Sequence, residues 1–176
     1  SGDYFKAVID ETRRLDPTRP ITLVTGDVNP PEKCYPFAYV DVMSINRYHS
    51  WYSDPGHLEL IEMQTVAELS PWHAHYGKPL IVSEYGAETI PGYHSDPPVM
   101  FTEEYQVAVL ENFHKGFDRL DFVIGEHVWN FADFATKQGI TRVCGNKKGV
   151  LPRQRQPKAA AHALRKRWHE PRRKTI

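Results

Sequence analysis

The run Pro79-Leu80-Ile81-Val82 reads as a buried strand, and a carboxylate follows almost at once in Ser83-Glu84-Tyr85-Gly86-Ala87-Glu88-Thr89. An unpaired charge where an apolar strand ends is costly, so a glutamate there needs a reason. In barrels of parallel strands, that end is where reacting groups sit. Polar and aromatic residues gather at the ends of other strand-like runs: Asn46 and Tyr48 after one, Trp129 and Asn130 after another. A carboxylate with phenols and an indole around a concavity suits a sugar, because rings pack on its C–H faces and polar groups take its hydroxyls. Such a carboxylate can attack an anomeric carbon and hold the sugar covalently. A retaining reaction then needs a second carboxyl about 5–5.5 Å away, first as acid and later as base.

The elements that must position these groups can be read from periodicity. Residues 3–15 carry Tyr4, Phe5, Val8, Ile9 and Leu15 at spacings of three and four, which predicts a helix ended by Asp16-Pro17. Strands are expected over 21–25, 40–46, 79–83 and 122–129, with a Pro30-Pro31 loop after the first. A long helix over 57–76 is expected to break or bend near Ser70-Pro71. Residues 102–118 read as a helix opened by Thr102 as N-cap, with Glu103 and Glu104 in its positive first turn, and 157–169 as a closing helix. Strands alternating with helices imply a parallel α/β sheet. Four strands are too few to close an eight-stranded barrel of about 250 residues, so the expectation is the second half of one.

Each of these residues also has a plainer reading. Glu84 could be a structural carboxylate paired with an arginine, and Tyr48, Tyr52 and Trp129 could be core aromatics. Asn146 to Gly149 could be only a turn, although a turn can also present Lys148. Glu126 is expected to be a buried, paired group. His73 and His75, two apart on a helix, point away from each other, and neither His-Glu-x-x-His nor Cys-x-x-Cys occurs, so no metal is expected. There is no Gly-rich phosphate loop.

Composition narrows the partners. The 176 residues suffice for one domain, and 22 basic residues balance 22 acidic ones, so nothing pulls the whole chain toward nucleic acid or membrane. Basic residues do bunch toward the end, from Arg153 to Lys174, as a solvated helix and tail would have them. No stretch approaches the roughly 20 apolar residues of a membrane span. Cys34 and Cys144 make no disulfide framework, which favours a reducing, cytoplasmic setting. The chain starts at Ser1 rather than methionine, so an upstream segment is expected.

Four blocks in one order carry a family resemblance: Asn46-Arg47-Tyr48-His49-Ser50-Trp51-Tyr52, the Ser83–Thr89 block, Glu126-His127-Val128-Trp129-Asn130-Phe131-Ala132-Asp133-Phe134, and Gly145-Asn146-Lys147-Lys148-Gly149. Together they closely resemble β-glucuronidases of family 2 of the glycoside hydrolases, over nearly the whole chain to about residue 169. The resemblance implies a retaining hydrolase of β-D-glucuronides on a (β/α)₈ barrel, needing no cofactor and oligomeric when intact, with residues 1–170 as barrel strands five to eight and 171–176 as a basic tail. It places Glu84 on the nucleophile and Tyr48 on the tyrosine that hydrogen-bonds it. Tyr52, Trp129 and Arg142 fall on sugar-lining positions, and Asn146 and Lys148 on the pair that binds the glucuronate carboxylate. An ammonium and an amide donor suit an anionic sugar, and a neutral sugar would leave the lysine unpaired. The family's acid/base glutamate, in an Asn-Glu-Pro block, has no counterpart here, since no Asn-Glu pair occurs, and is expected upstream of Ser1. The isolated chain is therefore expected to be inactive. Competing expectations are a non-catalytic half-barrel that binds sugar or pairs with another chain, and another family 2 specificity such as β-galactosidase.

Overall fold

The computed structural model describes residues 2–26, 30–140 and 142–170. Helix α1 (Gly2–Leu15) precedes strand β1 (Thr22–Thr25). Then come β2 (Val42–Asn46), α2 (Ile61–Tyr76), β3 (Leu80–Tyr85), α3 (Glu103–Asp118), β4 (Val123–Val128) and α4 (Ala159–His169). The strands form one parallel sheet in the order β1-β2-β3-β4, each paired with its sequence neighbour. Parallel neighbours need a crossover, and α2 and α3 supply it for the last two pairs. This is the expected half of a (β/α)₈ barrel: four parallel strands alternating with helices.

Two elements differ from expectation. The β1–β2 crossover holds two short 3₁₀ turns, Pro31–Lys33 and Tyr35–Ala38, rather than a bare loop. Proline at the start of each fixes φ where no N–H is needed. Helix α2 runs unbroken through Pro71. The ring removes the bond to the carbonyl of Ala67, but Ala67 is exposed, so water can serve that carbonyl. The helix ends instead at Gly77, whose φ of 64° is left-handed and whose N–H donates to His73 O at 2.8 Å.

The core lies between the sheet and its helices. Buried Ile61, Thr65, Leu69 and Trp72 recur along one face of α2, and Tyr105, Val109, Phe113 and Phe117 along one face of α3. Thr102 caps α3 as expected, its side chain accepting the Tyr105 N–H at 3.2 Å. Met43, Ile45, Leu80, Val82 and Tyr85 close the layer from the sheet side. Among the described residues no helix is long and apolar enough to cross a membrane. Cys34 is buried and Cys144 exposed, and neither is joined in a disulfide. The tail expected over 171–176 lies outside the described residues.

Candidate active site

Strand β3 does not simply run out before Glu84; it carries Glu84 inside it, at an irregularity. Ile45 pairs with Val82 but Asn46 with Glu84, so Ser83 is an extra residue against β2, and the pairing with β4 slips over the same stretch. Leu80 and Val82 point into the core, and strict alternation would send Glu84 after them. The bulge changes the phase: Ser83 and Glu84 are both partly exposed, and Tyr85 takes the buried side. Glu84 is thereby turned away from the apolar layer.

The segment after β2 meets it there. The Tyr48 hydroxyl donates to Glu84 Oε2 at 2.6 Å, and the Arg47 N–H donates to Glu84 O at 2.8 Å. Burial, and then the adjacent Glu84 carboxylate, push the Tyr48 phenol far up, so it stays a protonated donor. Asn46 Oδ1 accepts from Ser83 Oγ at 2.8 Å. Glu68 on α2 anchors the segment from below, 2.7 Å from Arg47 and 3.0 Å from His49. Burial works to raise the Glu68 carboxyl, but His49 and Arg47 outweigh it and the net shift is downward.

A second cluster approaches the Tyr48 ring. Lys148 Nζ donates to Glu88 Oε1 at 3.0 Å and to the Tyr52 hydroxyl at 3.1 Å. It lies 4.8 Å from the ring centres of Trp51 and Tyr52 and 5.6 Å from that of Tyr48. Arg142 donates to the same two acceptors, Glu88 Oε1 and the Tyr52 hydroxyl. Burial lowers the Lys148 ammonium, with Tyr52 and Glu88 opposing it only in part. For Arg142 burial acts the same way, but Tyr52 and Glu88 prevail and the guanidinium is raised.

Two buried side chains hold the backbones of this cluster together. Gln106 Nε2 on α3 donates to the carbonyls of Ala87, Lys148 and Gly149 at 3.0, 3.2 and 3.3 Å. Lys158 Nζ, at the start of α4, donates to the carbonyls of Thr89 and Lys147 and to Asp133 Oδ1. Glu88 and Lys148 are thus stapled in register from both flanks. Gly86 allows the turn out of β3: its φ is 145°, and a Cβ there would lie 2.7 Å from Trp129 O.

Six of the seven residues singled out in the sequence therefore meet through contacts: Glu84, Tyr48, Tyr52, Arg142, Asn146 and Lys148. Asn146 joins through its Oδ1, which accepts the Lys148 N–H at 3.0 Å. Tyr52 is half exposed and sets its ring edge-on to Tyr48 at 5.0 Å, while Lys148 is fully buried beneath it. Trp129 stands at the end of β4, tied to β3 by its N–H on Tyr85 O at 2.9 Å, and packs edge-on to Phe134. A cavity of about 270 Å³ lies beside Tyr48, lined also by Asn46, Tyr52 and Glu68. The Glu126 side chain is only 5% exposed and is paired as expected, with Arg167 at 3.1 Å and Trp168 at 3.0 Å. Among the described residues no group of three or more His, Cys, Asp or Glu side chains could hold a metal.

Sequence reading missed Glu88, Gln106 and Lys158. The available signal was a second glutamate directly after the small pair Gly86-Ala87, where a buried charge demands a cationic partner.

Comparison with known proteins bears on what this geometry serves. A family model described as glycosyl hydrolases family 2, TIM barrel domain, matches residues 1–172. A β-glucuronidase of Paenibacillus borealis is 62% identical over 167 residues, covering 95% of this chain and 28% of that protein. The human β-glucuronidase is 55% identical over 170 residues, covering 96% of this chain and 26% of that protein. The solved β-D-glucuronidase of Dictyoglomus thermophilum superimposes with a TM-score of 0.91 at 56% identity, over 97% of this chain and 29% of that one. The chain thus spans between a quarter and a third of the length of the relatives it matches.

Proposed function

The chain belongs to the TIM barrel domain family of family 2 glycosyl hydrolases, and from that premise we propose that it supplies the nucleophile and the uronate clamp for retaining hydrolysis of β-D-glucuronides. The observation that carries the reading is the Tyr48 side chain, whose hydroxyl is bonded to Glu84 while its ring faces the Lys148 ammonium. The candidate nucleophile and the cationic cluster thus contact the same aromatic residue, an arrangement that suits a sugar carrying a carboxylate. The names of the relatives, β-glucuronidases from a bacterium and from human, support the same substrate.

In this reaction Glu84 attacks the anomeric carbon through the carboxylate oxygen that Tyr48 leaves free. The glycosidic bond breaks, and its electron pair passes to the aglycone oxygen, which takes a proton from an acid. The acid then serves as base, drawing a proton from water as that water displaces Glu84 and restores its carboxylate. Residues outside this chain provide the acid/base carboxyl, so the 176 residues alone turn over aryl glucuronides very poorly. Lys148 with Arg142, and the amide donor of Asn146, select the sugar's carboxylate; a neutral hexose offers them no charge to bind. Barrel strands five to eight span residues 1–170, no cofactor takes part, and the intact enzyme is a homo-oligomer. Two cysteines outside any disulfide fit a cytoplasmic setting.

The test places this chain in the stretch it matches of the Dictyoglomus thermophilum protein. The chimera is expected to hydrolyse 4-nitrophenyl β-D-glucuronide well ahead of the galactoside, and Glu84→Gln to remove that activity at least about 1,000-fold. A chimera that prefers the galactoside, or a Glu84→Gln variant with activity close to the parent's, overturns the proposal.

A further inference from the structure

We infer that Glu88 is a specificity-determining positioning residue: it aims Lys148 and Arg142 together and holds Lys148 charged for a uronate. The inference rests on the glucuronide reading above and deepens it. Both the Glu88 and Lys148 side chains are fully buried. An ammonium sealed among Trp51, Tyr52 and Tyr48 without a counter-ion would shed its proton rather than remain charged. Glu88 Oε1 supplies that counter-ion, and the same oxygen accepts from Arg142, so one atom fixes where both cations sit.

Donor arithmetic makes this selective rather than merely stabilising. Lys148 has three N–H donors and places two of them, on Glu88 and Tyr52, among the described residues. The third donor suits one further carboxylate better than a neutral hydroxymethyl group. The position is also rigid: Gln106 and Lys158 grip the backbone at Ala87 and Thr89 on one side, and at Lys147 and Lys148 on the other. Glu88 and Lys148 therefore cannot drift apart when the site is empty.

The chimera described above is assayed with 4-nitrophenyl β-D-glucuronide and with the galactoside. Glu88→Gln is expected to raise KM for the glucuronide about 100-fold while kcat stays within about threefold, and to leave galactoside kcat/KM within about threefold. Glu88→Asp keeps the charge but shortens the arm, and is expected to raise glucuronide KM about tenfold with the galactoside unaffected. Parallel loss of both substrates in either variant means that Glu88 only holds the fold, and overturns the inference, as does an unchanged glucuronide KM. If Glu88→Gln loses its cooperative melt, the Glu88→Asp substrate split decides alone. A parent chimera without glucuronidase activity instead sinks the functional reading, and this inference falls with it.

Discussion

Replacing Tyr48 by phenylalanine removes one hydroxyl and almost nothing else. The ring keeps its edge contact with Tyr52 at 5.0 Å and its face toward Lys148 at 5.6 Å. What goes is the 2.6 Å bond to Glu84 Oε2. A hydrogen bond to a charged group contributes about 1.5–3 kcal/mol, or roughly 10- to 150-fold in a rate that depends on it fully. The two chemical steps depend on it differently. When Glu84 attacks, its carboxylate loses charge, so the donor bond weakens toward the transition state and gives no acceleration. When the glycosyl ester breaks, charge returns to the carboxylate and the bond strengthens. Tyr48→Phe is therefore expected to slow deglycosylation by about one to two orders of magnitude while sparing glycosylation. In the chimera, kcat on an aryl glucuronide falls, kcat/KM changes far less, and a pre-steady-state burst of nitrophenol appears, with the glycosyl group on Glu84 found by mass spectrometry. Parallel falls in kcat and kcat/KM with no burst would refute the assignment of Tyr48 as a donor to a leaving carboxylate.

Two predictions concern what holds the site up. Lys158→Met strips a buried donor from Thr89 O, Lys147 O and Asp133, and is expected to cost about 3–5 kcal/mol, lowering the melting midpoint by roughly 6–20 °C; an unchanged midpoint would show that these bonds do not bear on stability. Burial works to raise Glu126, but Arg167, His114 and Trp168 outweigh it and its carboxyl lies below the ordinary 4.5. Its contribution is therefore fully present above that value and is lost as pH falls below it through the depressed folded-state value, with Glu68 acting in the same sense. The melting midpoint should drop from pH 5 to pH 3, and Glu126→Gln should flatten that drop; a variant curve as steep as the parent's contradicts the pairing.

Local signals were legible wherever local physics decides. Thr102 with Glu103 and Glu104 opens a helix because the cap and the first-turn charges act within one turn. Apolar runs marked the four strands, and polar groups at their ends marked one face. Pro71 does not break the helix, because the cost of a proline depends on whether the freed carbonyl can reach water, and Ala67, whose carbonyl it frees, is exposed. The bulge at Ser83–Glu84 left no mark in composition either. It exists because β3 must match β2 and β4 at once, and the mismatch falls on both sides of the same two residues.

Residue chemistry and spacing along the chain were enough to determine that a carboxylate, several phenols and a cationic pair gather at the ends of parallel strands. Only the folded chain decided which way they point and whom they hold. Tyr48 finds Glu84 across 36 residues, Lys148 finds Glu88 across 60, and Lys148 reaches Tyr52 across 96. Partnerships at such separations depend on strand register and helix packing, and a single step of register reverses the face on which every side chain of a strand lies.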